Sequence, residues 1–129
     1  MTEMKRTYRD LLGIQITYRG KDRFEGEMVA RDDLCRVGDM LHGGVFMGFG
    51  DSMGAQASLV HLPEGKTTST IESKTNFFAS VKVGETVRCV STPLHVGRTT
   101  IVIESRIFRA DGKLAAIVTQ TQIVLDRRS

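Results

Sequence analysis

Apolar positions along this chain change their period twice. Two short runs, 16–19 (ITYR) and 23–30 (RFEGEMVA), set Phe24, Met28 and Ala30 between polar neighbours. That is the alternation of a half-buried strand, and the Gly20-Lys21-Asp22 link between the runs predicts a hairpin. Ahead of them, 4–12 (MKRTYRDLL) puts Tyr8, Leu11 and Leu12 on one helical face, with Gly13 as the stop. The stretch 31–41 (RDDLCRVGDML) carries turn residues without a period and reads as a loop. A different texture follows at 42–60, HGGVFMGFGDSMGAQASLV, which is apolar or small almost throughout. It predicts a helix from Gly43 to Leu62, closed by Pro63 and Gly65.

Beyond Gly65 the period falls to two. Four β-rich runs, 67–79, 85–96, 98–110 and 114–125, are separated by Lys82-Val83-Gly84, by Gly97 and by the hairpin signal Asp111-Gly112. In the third, Ile101, Ile103 and Ile107 share one face while Val102, Glu104 and Arg106 share the other. The four runs read as an antiparallel meander. Six strands with one long helix inserted after the second predict an α+β fold, in which an antiparallel sheet wraps a buried central helix within a single domain over 1–129.

The helix is apolar enough to be tested as a membrane span. An aspartate at its centre, Asp51, would cost about 2.5–3.5 kcal/mol in a bilayer, and Gln56 and Ser58 add to that, so a soluble helix is expected. Its glycines and alanines (Gly44, Gly48, Gly50, Gly54, Ala55, Ala57) make it thin, which suits close approach by other backbone. Each interior glycine costs about 0.5–1 kcal/mol against alanine, so packing or chemistry must compensate.

Composition narrows the function. The chain has 129 residues, a net charge of +3, no tryptophan and two cysteines. The basic residues are scattered and do not interleave with aromatics, which disfavours nucleic acid as a partner. Cys35 and Cys89 have neither zinc nor redox spacing, and the polar start MTEMKRTYRDLL is not a signal peptide, so a cytoplasmic protein with free thiols is expected. GKTT at 65–68 lacks the earlier glycine of a phosphate loop, and the glycines of GFGDSMG miss the dinucleotide spacing by one residue. His61 and His95 have no evident ligand partners, and no metal site is expected.

The two ends of the helical motif do suggest chemistry. The amides of Gly43 and Gly44, at a helix N-terminus and clear of any β-carbon, can stabilise a carbonyl oxygen gaining negative charge. A carboxylate can activate water or attack directly. Gly43 and Asp51 are eight residues apart, about 12 Å along one helix, so they cannot serve the same carbonyl. The partner amide must come from a second helix, most economically the same helix of a two-fold-related copy, which predicts a dimer with shared sites. The opposing reading of Asp51 is a satisfied polar residue at an interface.

Taken together, His42-Gly43-Gly44 with an acid nine residues after the histidine, then NFFASVKVGE, the VGR at 96–98 and DGKLAA at 111–116, resemble the hotdog-fold acyl-CoA thioesterases of the phenylacetyl-CoA type (PaaI-like), over roughly residues 36–125. The resemblance implies a five- to six-stranded antiparallel sheet curled around the long helix, and dimers or dimers of dimers joined edge to edge. It implies that Gly43 donates its amide to the thioester oxygen and that Asp51 is general base or nucleophile. Thr70 falls where relatives hold the attacking water with a hydroxyl; its plain reading is a strand residue. Gly97 and Arg98 fall near the nucleotide end of CoA, where a solvated turn arginine is the alternative. Arg36 stands where many relatives carry asparagine, and His42 reads chiefly as a helix-start residue. The implied activity is hydrolysis of a small aryl- or medium-chain acyl-CoA with no cofactor beyond the CoA of the substrate. A non-hydrolytic acyl-CoA-binding module is the alternative, and a hydratase a third, which would need His42 supplied in trans to Asp51.

Overall fold

The computed structural model describes residues 5–128. Its first element, α1 (Tyr8–Leu12), is set by a capping box: the Thr7 hydroxyl accepts from the Asp10 amide, and Asp10 Oδ2 accepts from the Thr7 amide at 3.0 Å. Thr7 itself is extended, so the helix begins later than the sequence pattern predicts; residue 4 lies outside the described residues. Strands β1 (Gln15–Arg19) and β2 (Phe24–Val29) pair as the expected hairpin. The expected loop at 31–41 holds a 3-10 turn, Asp32–Leu34, and a minimal ladder of β3 (Cys35–Arg36) with β4 (Met40–Leu41). These strands are too short to leave a period in the sequence. The turn between them closes with Gly38 and Asp39 in left-handed conformations, at φ 99° and 60°.

The central helix α2 runs Gly43–Leu59, three residues short of the predicted end. The chain leaves it through tighter turns, with the His61 amide bonded to Ser58 O and the Leu62 amide to Leu59 O. No helix among the described residues is long and apolar enough to cross a membrane.

Strands β5 (Lys66–Phe77), β6 (Thr86–Val96), β7 (Thr100–Phe108) and β8 (Leu114–Asp126) complete one antiparallel sheet in the order β1-β2-β6-β7-β8-β5. Only β6, β7 and β8 form a meander. Strand β5 does not adjoin β6; it pairs with β8, from Lys66 opposite Asp126 to Phe77 opposite Ala116. The physical reason is the helix: α2 carries the chain across the sheet from β2, whose open side is then taken by β6, and delivers β5 to the opposite edge. From Ser69 to Lys74 every residue of that edge is exposed.

The concave face of the sheet meets α2, giving the expected hotdog arrangement. Phe46, Phe49, Met53 and Ala57 pack onto Phe24, Met28, Val87, Ile101, Ile103, Ile107 and Val118, all buried. Each large side chain so buried contributes about 1.5–3 kcal/mol. The helix glycines let the two layers touch. A β-carbon on Gly50 would lie 2.6 Å from Val118 Cβ, and one on Gly54 would lie 2.5 Å from the Gln120 amide. Gly48 is covered from the other side by Tyr8 of α1, whose Cζ would sit 3.0 Å from an added β-carbon.

Candidate active site

His42 is the N-cap of α2, with extended backbone (φ −64°, ψ 138°), and its Nδ1 accepts the Gly44 N–H at 2.9 Å. That hydrogen bond requires the ring proton to sit on Nε2. It also separates the two glycines predicted as oxyanion donors. The Gly44 amide is engaged by the cap, whereas Gly43, as first helical residue, has no helical carbonyl one turn back to receive its N–H. Gly43 faces a cleft of about 330 Å³ lined by Arg36, Leu41, Phe46, Phe77 and Phe78. The rings of Phe46 and Phe77 meet edge to face, 6.0 Å between centroids. The exposed Arg36 donates from Nη1 to Val37 O at 3.0 Å.

Asp51 lies two turns further along α2, half-buried, on the side that meets β5. Thr70 stands 3.5 Å from it, Oγ1 to Oδ1, at the far limit of a hydrogen bond. Two residues of β8 complete this group. Gln122, opposite Thr70 in the ladder, donates from Nε2 to Thr70 Oγ1 at 2.6 Å, and Gln120 donates to the Asp51 carbonyl at 3.2 Å. Neither glutamine was singled out by the sequence reading, because TQTQ at 119–122 looks like the polar face of a strand. The available signal is phase: Gln120 and Gln122 continue the series Ala116, Val118, whose side chains are fully buried.

Gly97 and Arg98 occupy the turn between β6 and β7, where the Gly97 amide donates to Thr100 O at 2.8 Å. They line a second cleft, again about 330 Å³, with His61, Leu62, Lys66 and Val124, at the C-terminal end of α2. Burial holds the His61 imidazole below its ordinary pKa, with a smaller contribution from Lys21. Among the described residues, no three His, Cys, Asp or Glu side chains converge as a metal site, and both cysteines are free.

One chain therefore holds three separate stations. Gly43 and Arg36 are together, Asp51 and Thr70 are together, and Gly97 and Arg98 lie at the far end of the helix. The chain does not bring Gly43 to Asp51; the eight-residue interval stays helical, so about 12 Å of axis separates them.

Sequence and fold comparisons agree on the kind of protein that carries this arrangement. Residues 38–116, from just before the N-cap histidine into β8, match the thioesterase superfamily. The Bacillus subtilis protein ComA2 is 30% identical over 128 residues, 97% of this chain and 99% of its own length. A solved thioesterase from Haemophilus influenzae superposes with a TM-score of 0.86 at 29% identity, over 92% of this chain and 82% of that one. A thioesterase-type structure from Streptococcus pneumoniae, solved with coenzyme A, shares the fold with a TM-score of 0.81 at 20% identity, over 90% of this chain and 88% of that one. With its N-capped glycine pair, its helix carboxylate and its six-stranded wrap, this chain belongs to the thioesterase superfamily and is a thioester hydrolase of the hotdog fold.

Proposed function

We propose that the enzyme hydrolyses a small aryl- or medium-chain acyl-CoA to CoA and the free acid, at a site built by two copies of the chain. The observation that carries this reading is the separation of an unengaged helix-start amide, Gly43, from the Asp51–Thr70 pair on the same helix. Each half is incomplete, and a two-fold related copy supplies the other half to both sites at once. The bare edge of β5, running beside Asp51 at Thr70 and beside Gly43 at Phe77, is the surface through which such a copy would join. Coenzyme A in the Streptococcus pneumoniae structure supports the substrate class.

In this scheme the thioester oxygen accepts from the Gly43 N–H of one protomer. Asp51 of the other takes a proton from a water held against Thr70, the water oxygen bonds to the carbonyl carbon, and the carbon–sulfur bond breaks. The departing thiolate is then protonated, so that one water is consumed and an acid and a thiol are released. Positive dipole at the helix start and a carboxylate base suffice for an ester already activated by sulfur, with no metal or redox cofactor. Phe46, Phe77 and Phe78 beside Gly43 give the acyl group an apolar wall. Arg98, with His61 and Lys66, offers cationic and hydrogen-bonding groups to the phosphates of the nucleotide end.

Two variants test the sharing. Asp51→Asn removes the base. Gly43→Pro removes only the N–H, because proline is accepted at the first helical position and His42 already has the extended backbone that a residue before proline needs. Each homodimer should lose turnover of a benzoyl- or phenylacetyl-CoA panel while keeping its circular dichroism. Mixed and refolded together, they should regain about a quarter of wild-type activity, since half the dimers then carry one intact site. Wild-type turnover by Asp51→Asn would reject the base, and no recovery on mixing would reject the shared site.

A further inference from the structure

We infer that Gln122 is a positioning residue that sets the direction of the Thr70 hydroxyl toward Asp51. The inference rests on the Asp51–Thr70 reading above and extends it to a residue of β8 that lines neither cleft. The inward series of β8 begins with Ala116 and Val118 and then turns polar at Gln120 and Gln122, which are 0% and 1% exposed. Two primary amides on a buried face are costly unless their hydrogen bonds are made. Each donates once to the same short stretch of structure: Gln120 holds the carbonyl of Asp51, its own Oε1 lacking a partner among the described residues, and Gln122 holds the hydroxyl of Thr70.

Direction follows from the inventory of a hydroxyl, which has one proton and two lone pairs. The Gln122 Nε2–H fills one lone pair at 2.6 Å. The amide is the donor in that bond, so the Thr70 proton is left to point elsewhere. The Asp51 carboxylate, 3.5 Å from the oxygen, is the charged acceptor on that side. At that separation a water can sit against both groups with its oxygen receiving the Thr70 proton and one of its hydrogens directed to Asp51. The backbone reinforces the arrangement. Thr70 and Gln122 are register partners, and the ladder is irregular immediately afterwards, between Thr70 and Glu72, which re-aims the edge at this point.

The test is a double-mutant cycle in kcat with the variants Thr70→Val, Gln122→Met and the pair, beside Asp51→Asn as reference, using phenylacetyl-CoA hydrolysis. If Gln122 acts through Thr70, Gln122→Met and Thr70→Val each lower kcat about 10-fold with KM unchanged, and the pair is no worse than Thr70→Val alone. Gln122→Glu keeps the volume; ionised it can only accept from Thr70 and turns that proton away from Asp51, whereas protonated it still donates, so relative to wild type its kcat should fall as pH rises, toward the level of Thr70→Val. Thr70→Ser keeps a hydroxyl, so adding Gln122→Met to it should again lower kcat about 10-fold. Multiplicative losses in the pair with Val, or a loss expressed in KM, overturn the inference while an inactive Asp51→Asn leaves the proposed function standing. An active Asp51→Asn overturns both.

Discussion

Gly50 is where the helix and the sheet come closest, and its replacement by alanine has a calculable cost. Left to helix propensity, Gly50→Ala should stabilise α2 by about 0.5–1 kcal/mol. The structure reverses the sign. The new methyl would lie 2.6 Å from Cβ of Val118, not from the end of a flexible side chain, and Val118 is both fully buried and β-branched. A change of rotamer would move the γ-methyls of Val118 but not its Cβ, so the layers must separate, which puts the penalty near the top of the about 1–3 kcal/mol range for overpacking. The net is a loss of about 2 kcal/mol, or about 8 °C in Tm for a domain of this size. Val118→Ala alone should also cost about 2 kcal/mol, through its lost methyls and the void they leave. Combined, the added methyl occupies part of the space of the two that Val118→Ala removes, but Cβ of residue 118 stays within 2.6 Å, so relief is partial and the pair should lose about 3 kcal/mol rather than the about 4 kcal/mol sum of the singles. Urea denaturation of the four proteins measures this. Gly50→Ala as stable as wild type, or strictly additive losses, would refute the claim that close approach at Gly50 is why the helix carries a glycine beside Asp51.

Three further outcomes follow from other parts of the molecule. Ile71 is 59% exposed on the bare β5 edge, so in the proposed dimer Ile71→Asp would bring two copies of a new charge together, and it should sediment as a monomer with activity lowered in parallel. Asp111, held by Arg109 and then by the Lys113 amide, has its carboxyl lowered to about 2. Its stabilisation is therefore full above its ordinary value near 3.8 and is lost as pH falls through about 2; the Tm gap between wild type and Asp111→Asn should be open at neutral pH and close over that window. Cys89 is fully buried and its thiol is pushed up to about 12, so a thiol reagent at mild alkaline pH should titrate Cys35 alone in the folded protein and both cysteines in denaturant.

Local pattern along the chain was enough for most elements and for the candidate reactive groups. Period-two alternation located the strands to within a few residues, and Ile101, Ile103 and Ile107 were assigned to the buried face on which they lie. The Pro63 and Gly65 stop put the helix end within three residues of its place. The carboxylate stood out because a lone acid in an apolar helix is a local anomaly, visible without knowledge of any neighbour. Eight residues of helix also fixed the distance between Gly43 and Asp51, since helical rise is a property of the backbone alone.

What those residues meet depends on the fold. That β5 lies beside β8 and not β6 depends on how α2 crosses the sheet, a non-local event that no turn signal encodes. The helix-start glycines look equivalent in sequence, yet the His42 cap takes the amide of Gly44 and leaves that of Gly43. Thr70 and Gln122 are 52 residues apart in the chain and share a hydrogen bond because two strands align them. Side-chain direction and pairing arise from packing between distant segments, and the amino-acid order constrains them only through the fold as a whole.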